Sequence, residues 1–173
     1  MSTKISEEFS AAVIAARVAE LGREIRASAG NAPVFLLGVL KGTSVFLADL
    51  LRAVDGDAGY GFIDTVRDID DTTAADAMEI DFLSFIDIAD RNVFLLKDVV
   101  STGVIENYLL TQLRQKKPAS IRLVALLDRP DLRTVELEVD HYAFKIKEGT
   151  FAGYGLENEG LCGNLPYIGR VQA

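Results

Sequence analysis

Two short segments combine the residue types best suited to binding a phosphate group. The first is Ser101-Thr102-Gly103, which follows an apolar run ending at Leu96 and precedes a helical pattern. A helix N-terminus offers unpaired backbone N–H groups and a partial positive charge, and small residues let an anion approach them. From these residues alone, a phosphate site and a capped turn without a ligand are equally good interpretations.

The second segment places a lysine beside a glycine after another apolar run. Lys41 lies between Leu40 and Gly42 and supplies a positive charge, while Gly42 permits close approach of the backbone. The segment lacks the glycine and lysine spacing of a P-loop, so ATP hydrolysis is not indicated. Taken in isolation it is more simply a structural turn than a binding site.

Apolar runs and turn residues predict the elements that position these two segments. Buried strands are predicted at 33–39, 92–96 and 120–127, further strands at 59–65, 78–85, 139–146 and 151–155, and helices at 45–54 and 104–115. A first helix is predicted to start at Ser6 and to run to about residue 27, and the aspartate-rich segment 66–77 is predicted to be an exposed loop. Two successive strand–helix–strand units imply a parallel sheet, in which ligands bind beyond the carboxyl ends of the strands.

Composition limits the classes of function. The 173 residues suit a single domain, and a net charge of -8 disfavours broad binding to nucleic acid or anionic membranes. The single cysteine, Cys162, and the single histidine, His141, exclude an intrachain disulfide and metal sites built from thiolates or several histidines. No apolar run approaches the roughly 20 residues that span a bilayer. We therefore expect a cytoplasmic protein.

The order of these motifs resembles that of hypoxanthine-guanine phosphoribosyltransferases. Matching segments cover nearly the whole chain and comprise 38–43 with 45–52, 93–103 with 108–110, 126–130, 151–156 and 164–169. The resemblance implies the α/β fold of type I phosphoribosyltransferases. In that fold a central, mainly parallel sheet is flanked by helices, and a small hood is built from the N- and C-terminal regions. It also implies one domain over 1–173.

The resemblance further implies a reaction and a set of roles. Ribose 5-phosphate would pass from phosphoribosyl pyrophosphate to hypoxanthine or guanine with Mg²⁺ present, in a homodimer or homotetramer. The implied contacts are pyrophosphate with Leu40, Lys41 and Gly42, ribose with Lys97 and Asp98, the 5-phosphate with Ser101, Thr102, Gly103, Val104 and Ile105, the purine with Arg129, Phe151 and Ala152, and the metal with Glu157.

Several of these positions depart from the family pattern. Lys97-Asp98 stands where the family has an acidic pair, and Ser101 stands where it has an aspartate that accepts a proton. Further departures include Ile105 for a threonine, Arg129 for a lysine, Glu157 for an aspartate and Gly163 for an arginine. We therefore expect weak or lost turnover by the family reaction. The alternatives are a non-catalytic nucleotide-binding or regulatory homologue, and a structural partner of an active relative.

Overall fold

A computed structural model describes residues 4–64 and 86–172 of the chain. The predicted loop at 66–77 and the predicted strand at 78–85 lie outside the described residues. The helices are α1 (Ala11–Ala29), α2 (Ser44–Ala53) and α3 (Val104–Arg114), with a short 3-10 turn at Pro130–Leu132. The strands are β1 (Ile5–Phe9), β2 (Val34–Val39), β3 (Ala58–Ile63), β4 (Asn92–Val100), β5 (Ser120–Asp128), β6 (His141–Lys145), β7 (Phe151–Ala152) and β8 (Ile168–Val171).

The central sheet is parallel and has the strand order β3-β2-β4-β5-β6. The chain leaves β2 toward β3 on one side and returns to form β4 on the other side. The strand order therefore reverses between β2 and β4. In open α/β sheets this is the place where ligands bind, beyond the carboxyl ends of the two strands. The predicted α/β class and parallel sheet are confirmed.

Apolar layers cover both faces of this sheet, as expected for parallel strands. Within β4, Phe94 and Leu96 pack into the cluster that contains residues of α1 and α2. Val93 and Leu95, which point to the opposite face, pack into the cluster that contains residues of α3. No helix in the described ranges is long and apolar enough to cross a bilayer. The sheet is thus covered by helices on both faces, and a site can form from the loops at its carboxyl edge.

A second, antiparallel sheet has the order β1-β8-β7 and corresponds to the predicted hood. Its strand β1 shows that the predicted helix start at Ser6 is wrong. Ile5 pairs with Val171 across the two ends of the chain. Helix α1 begins only after Ser10, whose side-chain oxygen accepts a hydrogen bond from the N–H of Val13 at 3.3 Å. The apolar spacing of a helix does not show where its first turn begins, whereas the cap does.

The other boundaries differ from prediction in two informative places. Strand β4 continues past residue 96 to Val100, so Lys97 and Asp98 are strand residues and Lys97 pairs with Ala125. Strand β7 stops at Ala152 rather than at residue 155 because Gly153 and the residues after it adopt positive φ angles. Elements β2, α2, β3, α3, β5 and β6 lie where the sequence predicts them, with small shifts at their ends.

Candidate functional site

The turn after β2 touches the end of β4, where the strand order of the sheet reverses. A Cβ atom at Gly42 would overlap the Asp98 carboxylate, so only glycine leaves room for this contact. In the same turn, the peptide bond between Leu40 and Lys41 is cis. The structure therefore brings together the residues predicted to contact pyrophosphate and those predicted to contact ribose.

Lys97 and Asp98 form an ion pair at this junction. Lys97 Nζ lies 2.5 Å from Asp98 Oδ1, and the same oxygen accepts a hydrogen bond from the N–H of Val99 at 2.9 Å. The two side chains are only 18% and 23% exposed. Lys97 is thus engaged within the protein and is not a solvent-facing lysine.

Glu106 is a buried carboxylic acid that sequence reasoning missed. It lies in the first turn of α3 and is 4% exposed. Burial raises its pKa above the ordinary value, and the nearby charge of Asp98 acts in the same direction, whereas Lys97 opposes the shift. The available signal was its spacing, because Glu106 falls on the apolar stripe formed by Leu109, Leu110 and Leu113.

The turn between β4 and α3 presents free backbone N–H groups. Gly103 caps the helix in the left-handed region with φ 81°. Within the described part of the chain, the N–H groups of Thr102, Gly103 and Ile105 have no hydrogen-bond acceptor, and that of Val104 reaches only Thr102 Oγ1 at 3.5 Å. Such a turn at a helix N-terminus suits a phosphate group.

Arg133 supports this turn through a hydrogen bond to its backbone. Its role was not predicted from the sequence. Its Nη1 donates to the carbonyl oxygen of Ser101 at 2.6 Å, and its Nη2 lies 2.5 Å from the buried carboxylate of Asp128. A Cβ at Gly103 would come within 2.9 Å of Arg133 Cδ. No local pattern marks Arg133, since it follows an ordinary turn.

The segment after β7 closes over the turn that follows β2. Glu157 Oε2 lies 2.7 Å from Lys41 Nζ, and a Cβ at Gly155 would lie 2.6 Å from the carbonyl oxygen of Gly42. The hydroxyl of Tyr154 donates to Asp49 Oδ2 on α2 at 2.7 Å. The structure thus places Glu157, the residue predicted to bind metal, on the ammonium group of Lys41.

The residues predicted to contact a purine lie at the end of β5 and in the hood. The N–H of Arg129 donates to the carbonyl of Val100 at 2.9 Å, and its Nη1 donates weakly to the carbonyl of Gly149 at 3.5 Å. The Phe151 ring is nearly buried and has the Arg170 guanidinium 5.1 Å from its centroid. Ala152 is buried in β7. Arg129 also borders an open cleft of 280 Å³. The purine contacts stay a prediction.

Similarity to known proteins identifies the family. The profile of the phosphoribosyl transferase domain matches residues 8–159. The hypoxanthine-guanine phosphoribosyltransferase of Bacillus subtilis is 32% identical over 167 residues, which cover 95% of this chain and 89% of that protein. The chain belongs to the hypoxanthine-guanine phosphoribosyltransferase family.

Solved structures of this family share the fold. A hypoxanthine phosphoribosyltransferase from Staphylococcus aureus superimposes with a TM-score of 0.89 at 27% identity, covering 96% of this chain and 91% of that one. A hypoxanthine-guanine phosphoribosyltransferase from Bacillus anthracis gives 0.84 at 26%, covering 99% and 100%. The type I phosphoribosyltransferase fold is therefore confirmed. The bifunctional protein TilS/HprT of Listeria monocytogenes is 33% identical over 153 residues, or 88% of this chain, and the chain spans 24% of its length.

The departures from the family pattern are grouped in space. Lys97, Ser101 and Ile105 follow one another along the end of β4 and the start of α3. Glu157 and Gly163 are neighbours, since a Cβ at Gly163 would lie 3.2 Å from Glu157 Cγ. These five departures thus form two groups, and Arg129 lies apart from both in the sequence, directly after β5.

Proposed function

We propose that the protein binds phosphoribosyl pyrophosphate and a purine base in this cleft and transfers ribose 5-phosphate slowly. The observation that carries the proposal is the contact between Gly42 and Asp98. This contact joins the turn that carries Lys41 to the end of β4. The amide-rich turn at Ser101 follows directly after that strand. A ligand with phosphate groups at both ends of a ribose matches two such turns at neighbouring strand ends.

Binding of the 5-phosphate depends on the backbone and should survive the substitutions. The N–H groups of Thr102, Gly103 and Ile105, which find no acceptor among the described residues, keep their direction as long as Gly103 keeps its left-handed conformation. Arg133 fixes the same turn through the carbonyl of Ser101. Replacing a threonine by Ile105 removes one hydroxyl and leaves these amides in place. We infer that phosphate binding is retained.

Turnover is a different matter because positive charge develops on the ribose in the transition state. The ammonium of Lys97 now lies where a carboxylate would stabilise that charge, and it neutralises Asp98. Ser101 cannot accept a proton near neutral pH without an activating group, and losing a general base costs about 10²–10⁴-fold in rate. A protein whose contacts stabilise the bound substrate but not the transition state binds that substrate and converts it slowly.

The described residues fit magnesium poorly. Mg²⁺ requires oxygen ligands in near-octahedral geometry and is usually held by one or two carboxylates together with substrate phosphates. Here the Asp98 carboxylate is paired with Lys97, and the Glu157 carboxylate is paired with Lys41. In residues 4–64 and 86–172, no three His, Cys, Asp or Glu side chains converge as a metal site. The magnesium that the resemblance implies therefore meets carboxylates that are already paired with lysines at both of these positions.

Ser101 favours a second candidate function, that of a non-catalytic nucleotide-binding or regulatory homologue. Without a proton acceptor at this position, the amide-rich turn still binds a nucleotide phosphate, but the reaction lacks a base. Under this candidate, purine nucleoside monophosphates bind and no product forms from phosphoribosyl pyrophosphate. A cytoplasmic location and a homodimer or homotetramer are part of both proposals.

The deciding experiment measures formation of inosine and guanosine monophosphates from hypoxanthine, guanine and phosphoribosyl pyrophosphate. Slow turnover supports the first candidate, and binding of the monophosphates by calorimetry without turnover supports the second. The variant Lys97→Glu/Ser101→Asp/Ile105→Thr should raise the rate by at least about 10²-fold. A wild-type rate within about tenfold of an ordinary family enzyme would show that Lys97 and Ser101 do not limit the reaction.

A further inference from the structure

We propose that the ammonium group of Lys97 takes the place of a divalent cation, so that phosphoribosyl pyrophosphate binds to this protein without metal. The inference rests on the proposed function, because it concerns the same cleft. It also goes further, since it assigns a role to a substitution that otherwise only weakens the site. Three observations carry it: the fixed position of the ammonium, its place between the two turns, and the charge balance of the cleft.

The ammonium of Lys97 is held in place. Its Nζ lies 2.5 Å from Asp98 Oδ1, and the side chain is 18% exposed. The carboxylate of Asp98 is itself fixed, since its Oδ1 also accepts the N–H of Val99 at 2.9 Å. A lysine with these neighbours acts as a positioned cation.

The ammonium group of Lys97 lies between the two turns that we propose bind phosphate. The Asp98 carboxylate touches Gly42 and also pairs with Lys97. This carboxylate therefore lies between Lys97 and the turn that carries Lys41. Lys97 also precedes the amide-rich turn at Ser101 on the same strand. A polyanion that spans the two turns therefore passes close to the Lys97–Asp98 pair.

The charge balance of the cleft removes the need for an added cation. Two adjacent carboxylates at 97 and 98 would repel a polyanionic ligand unless a cation lay between them and the ligand. Lys97 and Asp98 instead form a neutral pair, and Lys41 with Glu157 forms another. The Arg133–Asp128 pair is also neutral. An acidic pair at 97 and 98 would present two negative charges to a metal ion brought in with the ligand, whereas the Lys97–Asp98 pair presents no net charge that would attract one.

The test is calorimetric titration of the full chain with phosphoribosyl pyrophosphate, once in EDTA and once in excess Mg²⁺. For the wild type we expect the two dissociation constants to agree within about threefold. For Lys97→Glu we expect binding at least about tenfold tighter with Mg²⁺ than in EDTA. Lys116→Glu, the same charge change beyond the opposite end of α3, should behave like the wild type.

A second variant guards against a folding defect in Lys97→Glu. Lys97→Met removes the ammonium without adding a carboxylate, and it should weaken binding in EDTA by about tenfold. Mn²⁺ gives a separate readout, because electron paramagnetic resonance should detect ligand-dependent Mn²⁺ binding to Lys97→Glu and none to the wild type. Wild-type binding that tightens about tenfold or more with Mg²⁺ overturns the inference and leaves the proposed function standing. No binding by any variant in either condition overturns both.

Discussion

The ammonium group of Lys41 and the carboxylate of Glu157 lie 2.7 Å apart and link the turn after β2 to the segment after β7. Lys41 is 75% exposed and Glu157 is 34% exposed, so the pair is open to competition. An incoming anion must compete with Glu157 for the lysine. At the proposed pyrophosphate site, Glu157 is therefore the group that an incoming phosphate displaces from Lys41.

This relationship predicts that Glu157→Gln strengthens pyrophosphate binding. An exposed ion pair contributes about 0–1 kcal/mol, so the expected gain in affinity is at most about fivefold. Titration calorimetry with pyrophosphate in EDTA measures it. Glu159→Gln, the same change two residues away, should leave the affinity unchanged. Weaker binding in Glu157→Gln would mean that the carboxylate serves the ligand, for example through a metal.

The contact between Gly42 and Asp98 predicts that Gly42→Ala destabilises the protein. It also predicts that the loss depends on the side chain of Asp98. The added methyl group would overlap the Asp98 carboxylate, and overpacking of this kind costs about 1–3 kcal/mol. Urea unfolding should show that loss in the wild-type background and a clearly smaller one in Asp98→Ala. Equal losses in the two backgrounds would place the strain elsewhere than at this contact.

Arg133 supports a buried carboxylate, so its removal should be costly. Arg133→Met leaves Asp128, whose side chain is 6% exposed, without its cation, and breaking such a pair costs about 3–5 kcal/mol. Arg52→Met is the matched control, because Arg52 pairs with Asp49 at the surface and is 73% exposed. That change should cost less than about 1 kcal/mol in free energy of unfolding. Similar losses would argue against a special role for Arg133.

The burial of Glu106 predicts a defined dependence of stability on pH. Because its pKa is raised in the folded state, the charged form is disfavoured there relative to the unfolded chain. Well below the ordinary value of 4.5, wild type and Glu106→Gln should be equally stable. As pH rises through the raised pKa, the wild type should lose stability relative to Glu106→Gln. Thermal unfolding between pH 3 and 8, with the exposed Glu159→Gln as control, measures the difference. A constant difference across this range would contradict the prediction.

Much of the central sheet was predictable from the sequence. The apolar runs that became β2, β4 and β5 are bounded by turn residues, and the helices between them show a clear spacing of apolar side chains. Because the strands are parallel, the turns at Lys41 and Ser101 were predicted to lie at the same edge of the sheet. These inferences succeeded because burial on both faces of a strand leaves a mark in the local composition.

The hood was less accessible to sequence reasoning. Strands β1 and β8 pair across the ends of the chain, and neither was predicted as a strand. Residues 5–9 alternate too weakly to distinguish a strand from the start of a helix. Their conformation depends on a partner that lies far away in the sequence, and local patterns carry no information about such pairing.

The sequence by itself determined the family, the parallel sheet and the chemical departures at Lys97, Ser101 and Ile105, because residue identity and spacing are local properties. Only the tertiary structure decided what the residues at and around those positions contact. It paired Lys97 with Asp98, buried Glu106 nearby and placed Arg133 against the carbonyl of Ser101. The reason is physical: the effect of a charge depends on the distance and exposure of its partners, and both follow from packing between segments remote in the chain.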